Sequence, residues 1–383
     1  MKGGQAPRST GLIAVLLATA VAFVGTSTVL AARLIANGGH LRPQARAASR
    51  PSGEAGPSPL KVNGFVPEPG STDVPADSAL IVTLSSPLAP DSPMPEISPP
   101  MLGTWAQVSP SSLVFTPSGS WVPGTALTMT VPGGTQGIKS TDGRRLAKTV
   151  TARFSIALGS ELRLEEILAT LGYLPLSFTP ADPAPVIPRE EAEPLLGTFA
   201  WRWQSLPAQL TSLWTQGEPN LVTAGAVRTF EDQSGLATDG IAGPEVWTRL
   251  LQALAAAKTD PAPYDYVLVT TALPEHLQVW SEGKIVFSSA VNTGIAASPT
   301  PRGTWPVYLR FRSTTMQGTN PDGSHYNDPG VPWVSYFHGG DALHGFIRGG
   351  YGFPQSLGCV ELPYAAAASV WPLTPIGTLV TVT

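Results

Sequence analysis

The sequence predicts a multidomain, mainly β protein: an N-terminal transmembrane helix, a β-sandwich, a small α-helical bundle and a C-terminal β-rich domain. Three observations predict it. An uncharged stretch of membrane-spanning length opens the chain, apolar residues then recur with period two, and a period near 3.6 interrupts them once. The boundaries that follow are 1–32 for the anchor or signal segment, 33–59 for a flexible linker, then 60–158, 160–257 and 264–383. Several domains suit a chain of 383 residues, at roughly 100–200 residues per domain. Only 13% of residues are charged and the net charge is −4, against about 25% charged in an average soluble chain. That balance excludes a dedicated nucleic-acid binder, which needs a strongly basic surface. Hydrophobic residues reach 42%, enough to form real cores. The single cysteine, Cys359, excludes an intrachain disulfide framework and any Cys-cluster metal site.

Residues 9–32 carry no charge, with Lys2 and Arg8 before them. About 20 apolar residues span a bilayer core, whereas the apolar region of a signal peptide is about 7–15 residues long. The length therefore favours an uncut anchor over a signal segment cleaved near Ala31. Arg33, Arg42, Arg46 and Arg50 follow, so the positive-inside rule does not by itself orient the segment. Residues 33–59 are rich in Ala, Arg, Pro, Ser and Gly without apolar period, the composition of a tether.

From Lys61 to Ile156 short apolar runs alternate with turn signals. Leu80–Leu84, then Leu113 and Phe115, then Leu127, Met129 and Val131, and finally Val150, Ala152, Phe154 and Ile156 mark strands. Pro69-Gly70, Pro123-Gly124 and Asp142-Gly143 separate them, as in a sandwich. The block holds no His and no Cys and reads as a spacer.

The period then changes. Leu164, Ile167, Leu168 and Leu171 fall on one helical face that Gly172 ends, and Trp247, Leu250, Leu251 and Leu254 repeat the spacing. Residues 175–194 look like an insertion. The run Gly225-Ala-Val-Arg-Thr-Phe-Glu, followed by Gly235-Leu-Ala-Thr-Asp-Gly-Ile-Ala-Gly-Pro-Glu-Val-Trp247, resembles the second half of the peptidoglycan-binding helical repeat. Gly240 and Gly243 suit the turn between two short helices, with Phe230 and Trp247 packed between them. A small bundle without ligand is the alternative reading.

From Tyr264 the period returns to two, with a hairpin at Glu282-Gly283 and a last strand at 376–382. From Val331 onward only Asp341, Arg348 and Glu361 are charged, which suits a buried sheet with a sheltered cleft. Free cysteine is among the most buried residue types, so a structural role is the default for Cys359. Three features point instead to chemistry. Ser356-Leu-Gly-Cys359 places small residues before the thiol, so that amides of Gly358 and Cys359 face a developing oxyanion. Pro363 can open a helix over 365–370, whose N-terminus favours thiolate. His344, at the end of a predicted strand, supplies a base.

The order His344-Gly345…Ser356-x-Gly358-Cys359-Val360-x-Leu362…Gly377-Thr378-x-Val380 is similar to the catalytic domain of L,D-transpeptidases, and Gly294…Thr300-Pro301-x-Gly303 fits the same family. The similarity covers residues 264–383. The anchor, an immunoglobulin-like (Ig-like) spacer and the helical repeat match the arrangement of actinobacterial members. The resemblance implies that Cys359 is the nucleophile attacking a peptidoglycan stem tetrapeptide, often at meso-diaminopimelate, with release of D-Ala. His344 would be the base, Gly358 and Cys359 the oxyanion amides, and Ser356 would shape the turn. Transfer to an amine of a neighbouring stem would give a 3→3 cross-link, without metal, nucleotide or other cofactor. His338, Tyr336, Trp333 and Tyr351 are candidates to line the substrate cleft.

Two residues depart from the family pattern: Leu357 replaces a second His, and Glu361 stands where Arg or Asn is usual. The spacing from His344 to Ser356 is short, which predicts a reduced lid. The resemblance implies a cell-envelope enzyme, membrane-anchored with its catalytic domain outside the cytoplasm, or secreted if the first segment is cleaved. Sortases need an Arg after the cysteine, and no Lys or Arg follows Cys359; papain-like wall hydrolases place Cys before His. An L,D-carboxypeptidase, a protein-anchoring transpeptidase and a non-catalytic peptidoglycan-binding protein remain as alternatives.

Overall fold

The computed structural model describes residues 58–183 and 191–383. The segment read as a transmembrane helix and residues 33–57 of the tether lie outside the described residues. Among the described residues no helix is long and apolar enough to cross a membrane.

The first block has seven strands: β1 (Val62–Val66), β2 (Leu80–Leu84), β3 (Glu96–Ser98), β4 (Gly103–Ser109), β5 (Ser112–Pro117), β6 (Ala126–Val131) and β7 (Val150–Ser155). They pair in the orders β1-β2-β5-β4 and β3-β6-β7. Alternation sends Leu80, Val82 and Leu84, with Leu113, Phe115, Met129 and Phe154, into one core between the sheets. Strands β1, β3 and β4 bury little, so apolar alternation does not reveal them.

The second block opens with α1 (Glu161–Thr170), capped by Ser160 Oγ, which accepts from Arg163 N at 3.3 Å. Gly172, at φ +87°, then turns the chain away. Where the sequence suggests an insertion, β8 (Leu176–Pro180) and β9 (Gly197–Trp201) form an antiparallel pair, so the block is not purely helical. Phe178 and Phe199 stack across it at 5.0 Å, a cross-strand contact that a search for helical period misses. A short α2 (Ala208–Thr211) leads to α3 (Leu221–Ser234) and α4 (Pro244–Ala255). Phe230 and Trp247 are buried between the helices.

The third block comprises β10 (Asp265–Thr270), β11 (His276–Ser281), β12 (Lys284–Ala290), β13 (Gly303–Pro306), β14 (Leu309–Thr319), β15 (His325–His338), β16 (Asp341–Gly345), β17 (Val360–Leu362), α5 (Tyr364–Val370) and β18 (Leu379–Val382). One sheet runs β12-β11-β10-β18-β13 and the other β14-β15-β16-β17. The pairs β10/β18 and β16/β17 are parallel, the rest antiparallel. Val267, Val279, Val380, Leu343, Val360 and Ala367 join both sheets and α5 in a common core.

The second and third blocks share apolar packing. Tyr266, Trp280 and Leu379 of the five-stranded sheet belong to the same buried cluster as Ile167, Phe230 and Leu250. Trp280 Nε1 donates to Ser205 O at 2.7 Å, and Thr229 Oγ1 donates to Ile376 O at 3.1 Å. At the closest approach a Cβ on Gly377 would lie 2.2 Å from Thr229 Oγ1 and 2.4 Å from Gly225 O. The helices thus cover one face of the five-stranded sheet.

Candidate active site

Cys359 immediately precedes β17, and β17 lies parallel to β16 with Glu361 opposite His344. This register leaves Cys359, fifteen positions after His344 in sequence, two residues along from the point opposite His344. They line a common cavity of about 470 Å³, within the usual range of ligand sites.

The turn before the nucleophile is held from inside. Ser356 Oγ donates to Cys359 O at 2.5 Å and accepts from Gly358 N at 3.2 Å. The sequence assigns the Gly358 amide to an oxyanion, but this hydrogen bond already engages it. What requires glycine at 358 is crowding: φ is +123°, and a Cβ would lie 2.2 Å from Asp341 Oδ1.

The turn is also held from outside, by residues of the Gly294…Gly303 motif whose individual roles the sequence leaves open. Thr300 Oγ1 donates to Gly358 O and Ser298 Oγ to Leu357 O, at 2.8 and 2.9 Å. Ile295 N donates to Ser356 O at 2.9 Å. Asn292, fully buried, exchanges backbone bonds with Glu361 and donates its side chain to Gly350 O at 3.1 Å. Both flanks of the cysteine are therefore fixed by neighbouring backbone.

His344 is buried, with Nδ1 3.2 Å from Gly345 O. The carbonyl can only accept, so Nδ1 carries the proton and Nε2 keeps a lone pair. Burial holds the imidazole below its ordinary range, despite opposing effects of the Gly345 hydrogen bond and the Glu361 charge. Cys359 is half-buried, with Sγ 3.8 Å from Gly340 O. Burial pushes the thiol up to about 12, against a backbone hydrogen bond from Ala342, and Asp341 and Glu361 add to the rise. This corrects the expectation of a helix-stabilised thiolate. Strand β17 separates Cys359 from α5, which begins at Tyr364, and a helix terminus acts only over its first turn.

The four aromatic and imidazole candidates surround the cavity without lining it. His338 faces Asp341, with Nδ1 3.3 Å from Oδ2, and stacks on Trp305 at 4.4 Å. Tyr336 packs against Tyr308 and Phe311, and Trp333 meets Tyr364 edge-on at 5.7 Å. Tyr351 donates its hydroxyl to Phe346 O at 2.5 Å and accepts from Arg348 N at 3.2 Å, supporting a loop. The cavity wall comes instead from Met316, Asn320, Tyr326 and Asp328 on the β14/β15 hairpin, and from Arg348. That hairpin therefore supplies one wall of the cleft. Glu361, at 4% exposure, is paired in a fork with Arg348 at 2.8 and 2.7 Å.

Residues 265–382 match the L,D-transpeptidase catalytic domain family, and residues 57–156 match the bacterial Ig-like domain family. No curated protein matches the chain. Among solved structures it is similar to an L,D-transpeptidase from Mycobacterium smegmatis, at 12% identity over 85% of this chain and 100% of that one, with a TM-score of 0.29. It is similar to the catalytic domain from the E. faecium L,D-transpeptidase at 24% identity, over 32% of this chain and 100% of that one, with a TM-score of 0.29. L,D-transpeptidase 3 from Mycobacterium tuberculosis, in complex with a faropenem-derived adduct, matches at 12% identity over 84% of this chain and 97% of that one, with a TM-score of 0.29.

Proposed function

The chain carries an L,D-transpeptidase catalytic domain behind a bacterial Ig-like domain, and on that premise we propose that it cross-links peptidoglycan stems with Cys359 as nucleophile and His344 as base. One observation carries the reading. Cys359 and His344 open into the same cavity, and the Gly345 carbonyl leaves His344 Nε2 free to accept a proton.

Both groups are neutral at pH 7, because burial raises the thiol and lowers the imidazole. Proton transfer therefore accompanies attack. Nε2 takes the thiol proton as Sγ bonds to the carbonyl carbon of the third stem residue. Collapse breaks the C–N bond, and the imidazolium returns the proton to the departing D-Ala amine. In the thioester, an amine of a second stem attacks, gives a proton to Nε2 and forms the new amide, and the thiol is restored. The Cys359 amide is the donor we assign to the oxyanion. On this reading the working domain acts in the cell envelope, outside the cytoplasm, with residues 9–32 as its membrane anchor or, if cleaved, as its export signal.

Incubation with a carbapenem followed by intact-mass spectrometry tests the pair. Wild-type protein gains the mass of one drug molecule, Cys359→Ala gains none, and His344→Ala acylates at least about a hundredfold more slowly. An equal adduct on Cys359→Ala would sink the assignment. Product analysis on purified muropeptides then identifies the acceptor, since a stem amine yields the 3→3 dimer and water yields the tripeptide.

A further inference from the structure

The turn that carries Cys359 is anchored by a residue outside the cavity. Glu275 immediately precedes β11 and is 1% exposed. Its Oε2 accepts from Thr293 N at 2.7 Å, and its Oε1 accepts from Thr293 Oγ1 at 2.6 Å. No ion pair joins it among the described residues, and it does not line the cavity. Thr293, itself buried, passes the constraint on. Its carbonyl accepts from Gln355 N at 2.9 Å and from Ser356 N at 3.0 Å. Ser356 Oγ in turn donates to Cys359 O and accepts from Gly358 N. The backbone of Glu275 holds the same loop a second time. Its N donates to Gly352 O at 2.8 Å, and its O accepts from Val291 N at 3.2 Å.

Burying a carboxyl group without a cation costs more than burying an apolar side chain of its size. Packing alone therefore does not call for an acid at this position. What the carboxyl supplies is a planar pair of oxygens that engages both the N–H and the O–H of one threonine. Holding Thr293 by both donors fixes its carbonyl, and that carbonyl sets where residues 355 and 356 enter the turn. The Cys359 amide, assigned above to the oxyanion, follows three residues after Ser356. We propose that Glu275 is a positioning residue for acyl transfer, acting through Thr293 and Ser356 on the Cys359 amide without touching substrate. The inference rests on the reading that Cys359 is acylated in this cavity. Misplacing a reacting or stabilising group by about 1 Å can cost about a hundredfold in rate. Alkylation of the same thiol by a small reagent needs no oxyanion donor and does not register such a shift.

The test uses the full chain and a carbapenem, with acylation followed by intact mass across drug concentrations to separate the limiting rate from half-saturation. Glu275→Met, similar in volume but without acceptors, lowers the limiting rate about tenfold or more. Half-saturation and the rate of iodoacetamide alkylation at Cys359 both stay within about twofold of wild type. A merely structural role would lower the melting temperature and leave the limiting rate of the folded protein unchanged. Glu275→Gln restores acylation, because its carbonyl accepts from Thr293 N and its NH2 donates to Thr293 Oγ1, a hydroxyl able to accept. Thr293→Val, which removes one of the two donors, slows acylation about threefold or more, and Thr293→Ser does not. A folded Glu275→Met that acylates at the wild-type rate, or loses acylation and alkylation equally, overturns the proposal. If Glu275→Met does not fold, the threonine pair decides, and a wild-type rate for Thr293→Val overturns it. Absence of any adduct on wild-type protein instead overturns the acylation reading on which the proposal rests.

Discussion

At the scale of single residues, burial decides the protonation states of the proposed pair. An isolated cysteine titrates near about 8.5 and histidine near about 6.5, but here the thiol rises to about 12 and the imidazole falls below its usual range. A base must be unprotonated to act, so activity is lost only as pH falls through the lowered His344 value. The expected kcat/KM profile is flat through neutrality, with its acid limb below about pH 6.5. Iodoacetamide alkylation of Cys359 at pH 9 is expected to be at least about tenfold slower than that of a cysteine peptide. An alkylation rate that titrates near 8 would instead mean a pre-formed thiolate. Cys359 is legible in sequence as the single cysteine of the chain, and His344 through the motif order that resembles L,D-transpeptidases. Arg348, Asp328 and Thr300 are common residue types, and what they do depends on the strands they meet.

At the scale of elements, regular spacing reads well wherever one face is buried. Helices α1 and α4 follow from apolar residues on one face, and their ends coincide with Ser160, Gly172 and Gly243-Pro244. The outer part of the β14/β15 hairpin is polar and exposed on both sides, whereas Val331, Val334 and Phe337 at its base are buried. The outer part shows no sustained apolar alternation, although it walls the cleft. Helix α3 holds a further consequence of burial. Glu231, at 0% exposure, accepts from Gly240 N through Oε2 at 2.8 Å, while Oε1 has no hydrogen-bond partner among the described residues. Burial and Asp239 push its carboxyl up to about 7. The folded chain then keeps a proton that the unfolded chain releases at its ordinary carboxyl value. Stability therefore falls as pH rises from about 4.5 toward 7 and stays low above that. Glu231→Gln, which mimics the protonated form, is expected to raise the melting temperature at pH 8 and leave it little changed at pH 4.5. A loss of stability at both values would refute the account of a protonated Glu231.

At the scale of the molecule, the helical block and the catalytic sheets are joined by a continuous core. Tyr266, Trp280 and Leu379 are buried by helices, so separating the blocks would expose them to water. In the whole chain the two are expected to unfold in a single calorimetric transition. Gly377→Ala, with φ +92° and a Cβ 2.2 Å from Thr229 Oγ1, should destabilise that transition by about 2 kcal/mol or more. Gly225→Ala, whose Cβ would meet Gly377 O at 2.7 Å in ordinary helical backbone, should cost less. Two separate transitions for the blocks would argue against the shared core. Coupling of this kind makes the helices part of the support for β18 and β10, whatever they bind.

Periodicity and residue chemistry by themselves determined the β-rich character and the main buried strands and helices, and the resemblance to L,D-transpeptidases singled out the candidate pair His344 and Cys359. These are local properties: which face of an element is apolar, and which side chains can carry a proton or attack a carbonyl. Only the tertiary structure decided which amide is already engaged, which neighbours the aromatic residues pack against, and that β14 and β15 supply a wall of the cleft. It also decided the burial that raises the thiol above its ordinary range. Each of these depends on strand register and burial, which set distances between residues far apart in the chain.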